Sequence, residues 1–339
     1  MKLWRYILIL AVLLFFFYFT NRISLSRDVT IEEGDTYNKF FEAMSWRDRV
    51  TLKLYLKQET NPALYPGVYR IEKPLSYKDF IAEVSKVPQP VSVKIVLLEG
   101  WSSFDYEDTL VKKGLIQAGE FLNVINDSQK IAAFQQEFEF LPKDIKTLEG
   151  FLYPDTYNVD ANQPNVAEQI VRMQLENFNK KVRIPNKEKF QSFQSKLSSD
   201  GFNFPLSTYA IIKLSSIIEN EEKNNDNKQT IASVFLNRLN QGMSLGADVT
   251  LCYGKSITYK LCTPNFIVEH LYDKENLYNT RQNVGLPPTP ISNPSITSID
   301  WVLNYTKSPA LYYLHDKNGK IYFGNTLEQH NQNKANHLQ

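Results

Sequence analysis

Glu219 is the side chain in this sequence best placed to do acid chemistry. It ends an apolar helical run, residues 206–219 (LSTYAIIKLSSIIE), and precedes another, residues 230–239 (TIASVFLNRL), so an ionisable carboxyl group falls where two apolar segments converge. A carboxyl partly removed from water has its charged form disfavoured, the condition for donating a proton near neutral pH. Helical spacing puts Thr208, Ile212, Ser215 and Glu219 on one face, with Ala210, Leu214, Ile217 and Ile218 forming the apolar stripe, so Glu219 is expected at the semi-polar edge. The plainer reading is a solvated carboxylate at a helix end, the usual state of a glutamate.

Other candidates are weaker alone. Glu221 points roughly 200° around a continuing helix from Glu219, so it suits an ion pair or a cap as well as a site role. Glu222, three residues from Glu219, lies nearer its face. Tyr153, Asp155 and Thr156 combine an aromatic platform with acceptors for ligand hydroxyls, although Pro-Asp-Thr also starts ordinary turns. Asn237 interrupts an apolar helix, where an unpaired amide costs on the order of 1–3 kcal/mol, so it either orients Glu219 or ties down a loop. Asp248 and Thr250 are expected in a loop past a helix stop at Gly242. Tyr278, Asn279 and Thr280 precede a proline-dense stretch, residues 285–294 (GLPPTPISNP). Both groups are candidate groove linings, and the stiff proline loop is either a strap or a groove wall.

The elements that must position these residues can also be read. Residues 29–36 suggest a strand ending in a glycine turn and a short helix after it. The pattern recurs with a strand from Gly67 and a helix from Tyr77 capped by Ser76, and again with residues 91–98 and a helix after Ser102. A helical stretch follows over residues 161–239. Asn318-Gly319 joins two strands of a hairpin, and Thr326 with Gln329 forms a capping box for a last helix.

With 339 residues, 42% of them hydrophobic, one or two packed domains fit. Thirty-eight basic against 37 acidic residues give a net charge of +1, so no basic field points to nucleic acid. Residues 3–20 (LWRYILILAVLLFFFYFT) are about as long as the ~20 apolar residues that cross a bilayer, and no small-x-small cleavage pattern follows. An uncleaved membrane anchor is expected, with a short cytoplasmic tail and the folded part translocated. The two cysteines, Cys252 and Cys262, could close a short loop in an oxidising compartment or remain separate thiols. Four scattered histidines without a ligand spacing suggest no metal site, and no cofactor is expected.

Four blocks taken together carry a resemblance: LEGFLYPDTY at 148–157; SIIENE at 216–221 leading to ASVFLNRL at 232–239; LGADVTLCYG at 245–254; and Tyr278-Asn279-Thr280 leading to Gly285-Leu-Pro-Pro288. In order and spacing the chain resembles the YceG-like (MltG) endolytic murein transglycosylases over nearly everything after the anchor. With the anchor read from its own apolar run, the expected protein is α+β: an N-terminal transmembrane helix (1–22), then, as the resemblance implies, a LysM-like domain (28–97) and a larger, mostly helical catalytic domain (98–339) with a loop-rich, hairpin-containing end. It implies cleavage of the β-1,4 bond between N-acetylmuramic acid and N-acetylglucosamine in peptidoglycan strands, leaving 1,6-anhydro ends, near peptidoglycan synthases outside the cytoplasmic membrane. The catalytic glutamate falls on Glu219 and its companion on Glu221. Gly246, Val249, Asn227 and Arg281 depart from the usual family residues, and Arg281 is expected to meet a substrate carboxylate. A two-carboxylate hydrolase and a non-catalytic wall-binding scaffold are the alternatives.

Overall fold

The computed structural model describes residues 22–338 apart from 26, 33, 59–61, 72, 87–91 and 222–224. The expected membrane span at residues 3–20 lies outside the described residues, as does Glu222. Among the described residues no helix is long and apolar enough to cross a membrane. The architecture is α+β, and the chain divides into two compact units: residues 1–93 with 158–166, and residues 94–157 with 167–339.

In the first unit, β1 (Arg22–Ile23) and β2 (Val29–Ile31) precede α1 (Asn38–Glu42) and α2 (Trp46–Gln58); β3 (Gly67–Tyr69), β4 (Leu75–Ser76) and α3 (Tyr77–Val84) follow. β2 pairs antiparallel with β3, and β1 with β4. Alternation decides which face is buried: Val29 and Ile31 turn inward while Thr30 faces solvent. They meet Phe40, Phe80 and Tyr69 in one small core, the two phenylalanine rings edge-on at 5.3 Å. Ser76 caps α3 as its sequence position suggests, accepting from the Asp79 amide at 3.1 Å.

The second unit carries the long helices. β5 (Ser92–Leu97) from Lys94 on and β6 (Asp155–Asp160) up to Tyr157 belong to it, and between them in sequence lie α4 (Ser103–Lys112), α5 (Glu120–Asn126) and α6 (Ser128–Glu137). Then come α7 (Val166–Phe178), α8 (Lys187–Ser199), α9 (Thr208–Glu221), α10 (Asn225–Asn240), α11 (Asp248–Tyr253), α12 (Pro264–His270) and α13 (Ile296–Leu303). The antiparallel hairpin β7 (Tyr312–His315) and β8 (Ile321–Gly324) leads to α14 (Leu327–His337). Thr326 caps α14, but Gln329 accepts from the Asn325 amide, one residue outside the expected box.

Two expectations change here. The one-sided apolar stripe on α9 is in fact an enclosed helix: Ile211, Ile212, Leu214, Ser215, Ser216, Ile217 and Ile218 are all buried, because α10 and α13 both pack on it. Asp248 and Thr250 lie in α11 and not in a loop.

Cys252 and Cys262 form a disulfide. Closing a loop of this size restricts the unfolded chain and contributes about 2–3 kcal/mol on the chain-entropy model. We expect the midpoint of chemical denaturation to fall by a corresponding amount when this bond is reduced, read by comparing unfolding with and without reductant. An unchanged midpoint would mean that the loop is already ordered in the unfolded ensemble.

Candidate active site

Glu219 sits in the last turn of α9 with its side chain 11% exposed. One carboxylate oxygen accepts from both the backbone N–H and the hydroxyl of Ser295, at 2.8 and 2.7 Å. The other lies 3.6 Å from Nζ of Lys228, a lysine of α10 that is almost wholly covered. Ser295 also caps α13, accepting from the Ser298 amide at 3.1 Å, so the carboxyl group of Glu219 lies at the positive end of a helix. Trp301 of α13 supports the lysine from beneath, its ring centroid 4.3 Å from Nζ. Helix end, serine and lysine together complement a negative charge on Glu219 and fix both of its oxygens.

What holds Ser295 is a strap, residues 291–295, buried throughout. The Ile291 amide donates to Ser216 Oγ at 3.1 Å, and Ser292 Oγ donates to the Ser216 carbonyl at 3.0 Å while accepting from Asn220 Nδ2 at 2.9 Å. Asn293 ties the strap to two other segments. Its backbone exchanges hydrogen bonds with Gly100 and Trp101, and its side-chain oxygen accepts from the amides of Gly150 and Leu152 at 2.8 and 3.2 Å. Its Nδ2 donates to Glu149 at 2.6 Å. The proline stretch therefore works as a strap. Pro290 packs so close to Gly150 (φ +90°) that a Cβ there would come within 2.6 Å of its ring.

Glu149 is fully buried and accepts from the Ser103 amide and hydroxyl, Tyr253 OH and Asn293. Burial pushes its carboxyl up to about 7, although all these hydrogen bonds pull the other way. Glu221 belongs to a separate cluster. It accepts from Tyr313 OH of the hairpin at 2.8 Å, and burial, opposed by that bond, pushes it up to about 7 as well. It does not converge with Glu219.

The remaining candidates divide by burial. Asn237 Nδ2 donates to the carbonyls of Ser308 and Ala310 at 2.7 and 2.8 Å, so it ties down a loop and does not orient Glu219. Thr250 and Thr280 share a buried hydroxyl contact at 3.0 Å, and the side chain of Asn279 donates to the carbonyls of Leu271 and Asp273. The groove lining expected of these three is replaced by an interior role, since their polar atoms are spent on the protein's own backbone and hydroxyls. Tyr278 OH meets Thr289 at 2.9 Å. Arg281 is occupied by Asp248 and not held open for a ligand. Tyr153 is buried beneath Lys181, which also pairs with Asp155; burial raises that carboxyl, but the hydrogen bonds from Lys181 and the Thr156 amide outweigh it and hold the group below its ordinary range.

Thr156 and Asp155 do reach a hollow. Together with Val96, Leu97, Leu98, Glu99 and Pro154 they line a space of about 470 Å³. Glu99 brings it to the site: burial first, then the charge of Glu219, raise its carboxyl above the ordinary range, while Lys228 opposes them. Gly100, next in sequence, has φ +75°, and a Cβ there would stand 3.2 Å from Cγ of Glu219. A larger hollow of about 790 Å³, lined by Phe140, Asp144 and Tyr209 among others, opens at the opposite end of α9. Sequence reading missed Glu99, Lys228, Asn293 and Ser295: Glu99 and Ser295 meet Glu219 only through long-range packing, Asn293 holds the strap, and Lys228, nine residues on, carried no signal that set it apart from other lysines.

A model of the YceG-like family matches residues 29–336. The chain belongs to the YceG-like family. It is 29% identical over 306 residues to an endolytic murein transglycosylase of Streptococcus pneumoniae, covering 84% of this chain and 52% of that one. A Bacillus subtilis endolytic murein transglycosylase is 25% identical over 323 residues, 92% of this chain and 84% of that protein. The crystal structure of a yceG-like protein from Listeria monocytogenes superposes with a TM-score of 0.57 at 28% identity, covering 91% of this chain and 99% of its own. The chain thus spans about half the length of the pneumococcal family member and most of the other two.

Proposed function

We propose that this YceG-like protein is a peptidoglycan lytic transglycosylase whose general acid and base is Glu219. The observation that carries this reading is a nearly covered carboxyl group gripped at both oxygens, in a family whose curated members are named for the reaction. Glu219 protonates O4 as the C1–O4 bond between N-acetylmuramic acid and N-acetylglucosamine breaks. It then takes the proton from the C6 hydroxyl of the same muramyl residue as O6 bonds to C1. No water enters, and because the nucleophile belongs to the reacting sugar, positioning supplies much of the rate. Asp155 and Thr156 are assigned to the glycan groove. Asn237, Asp248, Thr250, Tyr278, Asn279 and Thr280 bear on substrate only through the loops they hold, and Glu221 supports the hairpin side.

In this reading, residues 3–20 anchor the protein in the cytoplasmic membrane, residues 28–97 form a LysM-like glycan-binding domain, and residues 98–339 cut nascent strands beside peptidoglycan synthases, limiting strand elongation. A two-carboxylate hydrolase keeps one specific support, the position of Glu99. Product mass separates the two. New muramyl ends released by the purified protein from isolated sacculi are expected to weigh ~18 Da less than hydrolytic ends, because attack is intramolecular. Full-mass reducing ends would establish the hydrolase and overturn the lyase.

A further inference from the structure

We propose that Glu99 is a second catalytic carboxylate of this site, lying on the substrate side of Glu219 and stabilising positive charge that develops on the muramyl ring. The inference rests on the reading of Glu219 as the glycan-cleaving acid. Three observations lead to it. Glu219 and Lys228 are nearly covered, at 11% and 5% side-chain exposure, whereas Glu99 is exposed and lines the hollow with Pro154, Asp155 and Thr156. A sugar entering that hollow meets Glu99 first. Second, the backbone after Glu99 is locked onto the catalytic helix: the Gly100 carbonyl accepts from Asn220 Nδ2 at 3.1 Å, and the Gly100 amide donates to the Asn293 carbonyl at 3.0 Å. A side chain at residue 100 would press on Glu219, so this close approach needs glycine there.

The third observation is electrostatic. When Glu219 carries its proton as an acid, Lys228 is left as an uncompensated cation beside a ring that is itself becoming oxocarbenium-like. An ionised Glu99 restores neutrality, and because Glu219 and Lys228 are themselves nearly covered, that compensation acts where charge develops. Glu99 accepts no proton and forms no bond in the cycle: O4 leaves with the proton of Glu219, and O6 returns one. The charged and titratable groups that Glu99 interacts with are Glu219, Lys228, Tyr153 and Tyr106, with Asp155 beside it in the same hollow.

The test uses the full chain with isolated sacculi, wild type in parallel. Glu99→Gln is expected to lower kcat about 10- to 100-fold with KM changed less than threefold, and Glu99→Asp to recover part of the loss. The products that remain should still carry anhydro ends. Because burial and Glu219 raise the carboxyl of Glu99, its protonation should contribute to the acidic limb of the wild-type kcat profile, and that contribution should vanish in Glu99→Gln. Wild-type kcat in Glu99→Gln, or a loss confined to KM, would overturn the proposal. A wild type that releases full-mass ends or none would instead overturn the reading of the reaction on which it stands. Circular dichroism and melting of both variants separate misfolding from lost catalysis, and if Glu99→Gln misfolds, the folded Glu99→Asp decides by its kcat.

Discussion

Glu219→Gln is expected to abolish glycan cleavage while leaving the fold in place. General acid and base catalysis by a positioned side chain contributes typically 10²- to 10⁴-fold, and here one residue is asked to serve in both steps, so a loss of at least ~10³-fold in kcat is expected. The amide keeps the shape of the acid, and its oxygen can still accept from the Ser295 amide and hydroxyl. Its nitrogen then faces the ammonium of Lys228, two donors with no acceptor between them, which adds a modest stability cost. Anhydro-muramyl ends counted by mass spectrometry, with a melting curve beside them, provide the measurement. Cleavage at anything near the wild-type rate would remove Glu219 as the acid and direct attention to Glu99, because Glu221 is held at the hairpin by Tyr313.

The second large effect concerns stability against pH, and its sign is the reverse of that for an ion-paired carboxylate. Glu149 moves from an ordinary 4.5 to about 7 on folding because it is buried. Below the lower value both folded and unfolded chains hold the proton, and no dependence arises. Between the two the folded chain keeps a proton that the unfolded chain has shed, so stability falls as pH rises, and above about 7 the loss is complete. The shift corresponds to roughly 3 kcal/mol. Unfolding free energies measured at pH 5 and pH 8 should therefore decline for the wild type, and the decline should shrink by up to that amount in Glu149→Gln. Glu221 contributes in the same direction and remains in the variant, so the difference between the two slopes isolates Glu149. Equal slopes would show that Glu149 is ionised throughout, held so by its four donors.

Much of the local structure was legible in the sequence, and the reason is physical. The helix that carries Glu219, the Ser76 cap and the Asn318-Gly319 hairpin are set by neighbours a few residues away, and periodicity or turn chemistry reports such neighbours directly, whereas the enclosure of that helix comes from distant helices and was not legible. The polar residues at 250, 279 and 280 were misjudged because residue type cannot say whether an amide or hydroxyl faces water or a buried carbonyl. Only the packed chain shows Asn279 spent on Leu271 and Asp273. Glu99 and Ser295 were invisible as partners of Glu219 for a related reason: they lie more than a hundred and more than seventy residues away in sequence, and with one chain no local pattern joins them.

The strap at residues 291–295 also has a temporal meaning. Its partners lie at residues 100–101, 149–152 and 216–220, so the serine half of the grip on Glu219 depends on contacts of long sequence separation, the kind that form slowly and late because loop closure must precede them. A nascent chain that has emerged only as far as α10 has its acid but not the serine that seats it. On the proposed reading, competence therefore arrives late in the synthesis of this unit, and a copy truncated before Ser295 is expected to carry Glu219 without the serine that seats it.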